Sequence, residues 1–269
     1  MPASSRAVDP HTLAPADAQA TSQAVLSDDD IHARLIEAIV DQRLIPGTKL
    51  IEDKLGQAFG VSRTRIRQVL IRLAQEQVVV LQPNKGASVA EPSVAESREV
   101  FEARRVIEAA LVRHFAEHAH AADLQELAAC IEAEEAARLQ GDTAMALRQS
   151  GRFHLLLADA AGHQTFAGFL HKLVSRTSLI LMAHGPQTRA TSAPLALLPT
   201  PGATASRRWS QACRCDEHRG LLTALKSAVQ ARGRSRVKGD AAIELAVARM
   251  TEHLLHLEAG LQLDEPAAP

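Results

Sequence analysis

Four arginines, Arg63, Arg65, Arg67 and Arg72, fall within ten positions of the stretch FGVSRTRIRQVLIRLAQEQ, residues 59–77. Guanidinium groups bind phosphate oxygens and can bond O6 and N7 of guanine in a bidentate way. The chemistry such a cluster offers is therefore recognition of a nucleic-acid backbone and of base edges. Like charges this close oppose helix formation slightly, which points to an external anion that offsets the cost. Ile66, Val69, Leu70 and Leu73 interleave with the charges at i, i+3, i+4 and i+7, and Ser62 is placed as the N-cap. The spacing predicts an amphipathic helix whose first turns carry Arg63, Thr64, Arg65 and Arg67, beside N–H groups that themselves attract phosphate. Lys85, in the turn sequence QPNKG, is a further cation for a second phosphate or the minor groove. The alternative for all of these is an ordinary solvated face.

The elements that must hold this helix can be read around it. Ile31, Leu35, Ala38 and Ile39 give a helical face that ends before the Pro46-Gly47 turn. A short helix over about 52–59 is expected to bury Leu55, Ala58 and Phe59 and to stop at Gly60, while Gly56 inside it costs roughly 0.5–1 kcal/mol relative to Ala. After the basic helix, VVVL and ASVA flank QPNKG, which predicts a small hairpin. Helix, helix, turn, helix, hairpin is a winged helix-turn-helix, placed at 28–92. Residues 1–27, rich in Ala, Ser, Thr, Asp and Pro without periodicity, are expected to be a disordered tail. Residues 1–30 carry one basic and five acidic side chains, 31–90 nine and five, and 91–269 twenty and twenty-one. The basic excess thus coincides with the arginine helix, and it doubles in a dimer.

The remainder is expected to be a helical domain over 93–259. Ser93 and Glu96 form an S-x-x-E capping box ahead of Val100, Ile107, Ala110 and Leu111. Further helices are predicted around 122–139, 143–161 and 164–183, resuming near 215 and 238, with a mobile insertion over about 185–212 and a polar tail over 260–269. Six Phe, one Trp and no Tyr favour packed helices over a sandwich or barrel. The fold class is therefore mainly α, with a small β hairpin. No apolar run is long enough for a membrane span, and no signal peptide is read at the start. Cys130, Cys213 and Cys215 lack metal-type spacing and suit a reducing, cytoplasmic setting. The chain contains no H-E-x-x-H, no Walker A loop, no G-x-G-x-x-G and no G-x-S-x-G. A metal-dependent enzyme is therefore the weaker reading and no enzyme is expected. The pairs His114/His118 and His253/His256 have helical spacing and are read as solvated faces.

The segment PGTKLIEDKLGQAFGVSRTRIRQVLIRLAQEQVVVLQPNKGASV resembles the DNA-binding domain of GntR-family bacterial transcription regulators over about forty-five residues. The resemblance implies that Ser62, Arg63, Thr64 and Arg67 lie in the DNA-contacting segment and that Gly86 is the wing-tip glycine. Arg65 stands where the family usually has proline, which implies an additional contact. Gln77 replaces the usual glycine after the recognition helix, and Asp53 replaces an arginine that some members use on phosphate, both of which would weaken binding. A decayed paralogue that dimerises without binding DNA is a further alternative.

The second half resembles the FCD type of effector domain of the FadR branch, through FEARRVIE, GRFHLLLADAAGH, DEHRGLLTAL and ARMTEHL. That resemblance implies an all-helical bundle, a homodimer on an inverted-repeat operator, usually a repressor, and a small-molecule effector. It also implies a divalent metal of the zinc, nickel or manganese type, held by His154, His218 and His253, with Ser150 where the family has a carboxylate or amide ligand. Serine is a poorer ligand, so three imidazoles would hold the ion. The other reading is that these histidines are polar core residues bonded to one another. Arg104 matches an arginine that projects toward the effector, which would make the effector a carboxylate; the other reading is a surface arginine beside Glu108 at i+4. The segment KSAVQARGRSRVKG, about 226–239, reads as a basic insert, either a loop or an extra turn.

Overall fold

The computed structural model describes residues 26–40, 43–185, 215–232, 236–261 and 263. The expected tail over 1–27, the insertion over 185–212 and the tail over 260–269 fall almost wholly outside the described residues. The chain divides after Pro92 into two compact units.

In the first unit, α1 (Asp28–Val40) begins at Ser27, whose Oγ accepts from the Asp30 N–H at 3.0 Å while the Asp30 carboxylate accepts the Ser27 N–H at 2.8 Å. Then come β1 (Lys49–Leu50), α2 (Glu52–Phe59), α3 (Arg63–Gln75), β2 (Val79–Gln82) and β3 (Gly86–Val89). The three strands form an antiparallel sheet in the order β1-β3-β2. Leu81 faces Ala87 across the hairpin, and Lys49 and Leu50 face Ser88 and Ala87 on the other edge of β3. The hairpin is where the turn residues placed it. The third strand has only two residues, too few to show a period.

The stripe on α3 is buried as its spacing requires: Ile66, Val69, Leu70 and Leu73 are buried, and α3 packs against α1, α2 and β2, whose Ile31, Leu35, Leu55 and Val79 are buried too. Ser62 caps the helix by accepting the Arg65 N–H at 3.4 Å. Two expectations about α2 need correction. Ala58 is exposed, and it is Gly56 that is buried with Leu55 and Phe59. Gly56 also has a positive reason to be there: a Cβ on it would lie 2.9 Å from the Val61 carbonyl oxygen, so the turn into α3 closes only over a residue without a side chain. Gln77, where a glycine was the usual residue, sits at φ +58°, the left-handed region. Its N–H still bonds the Ala74 carbonyl at 3.0 Å, so the turn is kept at the cost of local strain.

The second unit contains α4 (Val94–His118), α5 (Ala121–Leu139), α6 (Thr143–Ala160), α7 (Gln164–His184), α8 (Cys215–Ala231) and α9 (Arg236–Ala259). The Ser93/Glu96 capping box is formed in full. The segment read as a basic insert is largely helix, the end of α8 and the start of α9; residues 233–235 lie outside the described ones. Helix α4 packs against α6, α7, α8 and α9. Leu111 and Phe115 of α4 meet Phe153 and Leu157 of α6, Leu221 and Leu225 of α8 and Met250 and Leu254 of α9. Each such side chain contributes about 1.5–3 kcal/mol by leaving water. Into this apolar interior are set Arg104, Glu108, Glu134, Ser150, His154, Thr177, His218 and His253, all buried.

Candidate functional site

Two groups of side chains can do chemistry, one in each unit. In the first, the start of α3 presents Arg63, Thr64 and Arg67 exposed and Arg65 partly covered. Arg63 donates from Nε to Glu52 at 2.6 Å and lies 3.6 Å from Asp53, and it stays two-thirds exposed. Its charge is held in place by the acidic start of α2, so Asp53, which stands where some members of the family use an arginine, lies close enough to support Arg63. Arg65 donates from Nε to Asp28 at 2.8 Å and from Nη2 to the Leu26 carbonyl at 2.6 Å. Arg72 pairs with Asp29 and, at 3.6 Å, with Glu76. Arg67 and Lys85 have no ion-pair partner among the described residues. Lys85 stands at the hairpin turn beside Gly86, whose φ of +78° suits a residue without a side chain.

In the second unit, α6, α8 and α9 bring together His154, His218 and His253, which are far apart in the sequence yet offer ring nitrogens all within 4.8 Å of one another. Each is at most 2% exposed. Each imidazole is tied through Nδ1 to a different glutamate: His154 to Glu108 at 2.5 Å, His218 to Glu134 at 2.7 Å, and His253 to Glu217 at 2.9 Å. Glu217 also binds His256, so that pair is not simply solvated: His253 is buried and only His256 is exposed.

The protonation states follow from the surroundings. Burial works to raise the Glu108 carboxyl, but the Arg104 guanidinium and His154 outweigh it and bring its pKa down to about 2. Burial likewise opposes ionisation of Glu134, and the hydrogen bond and charge of His218, with those of Arg138, hold it at about 2. Burial also works against Glu217, and its bonds to His253 and His256 outweigh that and lower it. An ionised carboxylate can only accept, so each Nδ1 carries a hydrogen, and in a neutral ring the lone pair is then on Nε2. Burial pushes His253 down to about 3, and burial also lowers His154, so these rings are neutral at pH 7. The Nε2 atoms of His218 and His253 are buried and without a hydrogen-bond partner. Buried orphan polar atoms of this kind cost of order 1–3 kcal/mol each, and a cation held by the Nε2 lone pairs removes that cost. The surrounding charges agree: three carboxylates, Glu108, Glu134 and Glu217, stand against two guanidinium groups, Arg104 and Arg138. A carboxylate that orients each imidazole is the outer arrangement that metal-binding histidines require. Ser150, one helical turn before His154, is buried beside them.

Arg104 is not on the surface. It is 2% exposed, donates to Glu108 at 2.7 Å and to the Thr177 hydroxyl at 3.3 Å, and leaves Nη2 buried and unpartnered. A guanidinium edge of this kind is a ready partner for a carboxylate. The i+4 neighbour read from sequence is therefore real, but it is one link in a buried chain Thr177, Arg104, Glu108, His154.

Sequence reasoning passed over Glu134 and Glu217 and saw in Glu108 only a neighbour of Arg104. One signal was present. Glu108 lies in line with Phe101, Arg104, Leu111 and Phe115, and Glu134 with Leu127 and Ile131, each an acid on an apolar stripe.

Residues 28–89 match the family model described as bacterial regulatory proteins, gntR family, and residues 99–239, more than half of the chain, match that of the FCD domain. Over 173 residues the chain is 30% identical to an Escherichia coli K12 protein named as an L-lactate dehydrogenase operon regulatory protein. That match covers 55% of this chain and 65% of that protein, so the chain spans just under two thirds of the relative's length. It is 34% identical over 86 residues to the E. coli K12 HTH-type transcriptional repressor RspR, covering 32% of this chain and 38% of RspR. Among solved structures, E. coli McbR/YncC superposes with a TM-score of 0.65 at 19% identity over 87% of this chain and 98% of that one. A GntR transcriptional regulator from Rhodococcus sp. RHA1 does so with 0.60 at 20% identity, over 86% and 95%. These two likenesses establish a shared fold.

Proposed function

The chain belongs to the gntR family of bacterial regulatory proteins and carries an FCD domain, and from that premise we propose that it is a homodimeric repressor released or engaged by a small carboxylate. The observation that carries the reading is the joining, in one chain, of a cationic helix start to a helical unit whose buried centre holds unpartnered polar atoms. In the first unit, the opening turns of α3 enter the major groove of an inverted-repeat operator. Arg63 and Arg67 read base edges, Ser62, Thr64 and the helix N-terminus bind phosphate, and Lys85 with Gly86 follows the backbone beside the groove. Arg63 is pre-oriented for this by Glu52.

In the second unit, His154, His218 and His253 fit a divalent ion of the zinc, nickel or manganese type through their Nε2 atoms, since two of these are otherwise orphaned. Such an ion supplies Lewis acidity and positive charge for an anionic effector. The chain's own contribution is to orient the three imidazoles through three glutamates, to keep His154 and His253 neutral by burial, and to present Nη2 of Arg104 to the effector's carboxylate. The relative named for an L-lactate dehydrogenase operon supports a small carboxylate as the effector class. Hydrolytic chemistry would need a free general base beside the imidazoles, whereas Glu108, Glu134 and Glu217 are each committed to an Nδ1; that favours binding over catalysis.

The test is retention of fragmented host DNA by the purified protein, sequenced beside an Arg63→Ala, Arg67→Ala variant. Discrete peaks sharing an inverted repeat and absent from the variant are expected. Identical retention by the variant would refute the readout. For the ion, protein purified without chelators is expected to carry metal or to take it up on titration with zinc, nickel or manganese, and failure of both sinks that part.

A further inference from the structure

A second group of donors lies at the C-terminal end of α4, apart from the residues used above. We infer that His114, Glu117 and His118 form a solvent-facing site for a borderline divalent transition ion of the zinc, nickel or copper class. The three residues recur at i, i+3 and i+4, which puts them on one face of the last turn of the helix, and their ligand atoms all lie within 4.8 Å of one another. Two imidazoles and a carboxylate select such ions over magnesium or calcium, which prefer all-oxygen ligands, and three protein ligands leave a position open to water or to a donor from another molecule.

The site is more than a coincidence of spacing. Nδ1 of His118 bonds the His114 carbonyl oxygen at 2.8 Å. A carbonyl only accepts, so the hydrogen is on Nδ1 and the lone pair on Nε2, the tautomer that a ligand needs, fixed by the backbone. The His114 ring stacks with that of His118, centroids 5.9 Å apart, and meets the His163 ring edge-on at 4.8 Å. His163 is itself pinned: its Nδ1 accepts the Phe166 N–H at 3.3 Å, which leaves the hydrogen of the neutral ring on Nε2 and makes His163 a wall of the site, not a ligand. Gly162 lies beside the His118 ring, where a Cβ would be 3.8 Å from Cγ of His118. The Glu117 carboxylate has no ion-pair partner among the described residues. The nearby cation, Arg232, bonds the backbone carbonyls of Glu117 and Ala119 at 2.5 and 2.8 Å. Tetrahedral zinc, with bonds of about 2.0–2.1 Å, needs ligands about 3.3 Å apart. Half-exposed and exposed side chains make that closure by small rotations about χ1 and χ2.

The experiment is a titration of the full-length protein with zinc chloride in competition with a chromophoric chelator, on the natural chain, on His114→Ala/His118→Ala and on His154→Ala/His253→Ala. The expected result is that His114→Ala/His118→Ala binds one zinc fewer per chain than the natural protein, with an unchanged circular-dichroism spectrum. The Glu117→Gln variant should keep that equivalent with weaker affinity. If the double variant at 114 and 118 competes for as much zinc as the natural chain, the inference is overturned, whatever the buried cluster does. If the natural chain binds a single zinc that this variant loses, the surface site stands and the buried metal reading falls. A single zinc lost only with His154 and His253 overturns the surface site and upholds the buried one.

Discussion

Replacing Arg104 by Met tests whether the buried chain through Glu108 holds the second unit together. Arg104 is 2% and Glu108 0% exposed, and among the described residues the carboxylate is otherwise met only by His154. Methionine fills much of the same space but leaves Glu108 ionised and half-paired in an apolar interior. Breaking one partner of a buried pair costs about 3–5 kcal/mol, a large share of a total stability of about 5–15 kcal/mol. With a denaturant dependence of about 2 kcal/mol per molar urea, the midpoint of the helical unit followed by circular dichroism should fall by roughly 1.5–2.5 M. The double variant Arg104→Met/Glu108→Gln should recover part of this loss, because no unpaired charge remains and the Gln carbonyl still accepts from Nδ1 of His154. A loss below about 1 kcal/mol for Arg104→Met, or additive losses in the double variant, would refute the reasoning, since neighbours in one network must couple.

Gly56→Ala should destabilise the first unit by about 1–3 kcal/mol in thermal melting, although alanine is the better helix former, because the added methyl meets the Val61 carbonyl at 2.9 Å. Gln77→Gly should do the opposite and raise the melting temperature, relieving a left-handed residue whose cost is of order 1 kcal/mol, less the extra freedom of glycine in the unfolded chain; a lower melting temperature would show that the position is unstrained. Asp28→Asn/Asp29→Asn removes the carboxylates that pair with Arg65 and Arg72, so affinity for duplex DNA by fluorescence anisotropy should rise severalfold at low salt, a surface pair being worth about 0–1 kcal/mol; unchanged affinity would mean that these arginines take no part in binding. Burial pushes the Cys130 thiol up to about 11, so its thiolate is scarce at pH 8, and iodoacetamide should leave Cys130 unmodified in the folded protein and alkylate it only on unfolding, as read by peptide mass spectrometry.

What the amino-acid order determined by itself was everything carried by neighbours within a turn or two. Ser62 capping a helix whose Ile66, Val69, Leu70 and Leu73 are buried, the Ser93/Glu96 box and the succession of helices over 94–184 depend on residues three or four apart, and the hairpin around QPNKG on residues no more than ten apart. Such signals are local in the sequence even though packing stabilises the elements, so their spacing is a sufficient sign of where the elements lie. The resemblance to known regulators added the three histidines, which no spacing would have joined. Tertiary structure alone decided their partners: Glu108 meets His154 46 residues away, Glu134 meets His218 84 away, and Glu217 meets His253 36 away. It also decided between the two readings of Arg104 as to burial, placing it in the interior and not on the surface, exposed Ala58, explained Gly56 and paired the two residues of β1 with β3. Whether a polar side chain is buried depends on which helix lies opposite it, and whether a glycine is required depends on the backbone that crosses it. Neither is a property of the residue's own segment, and so neither is written in its period.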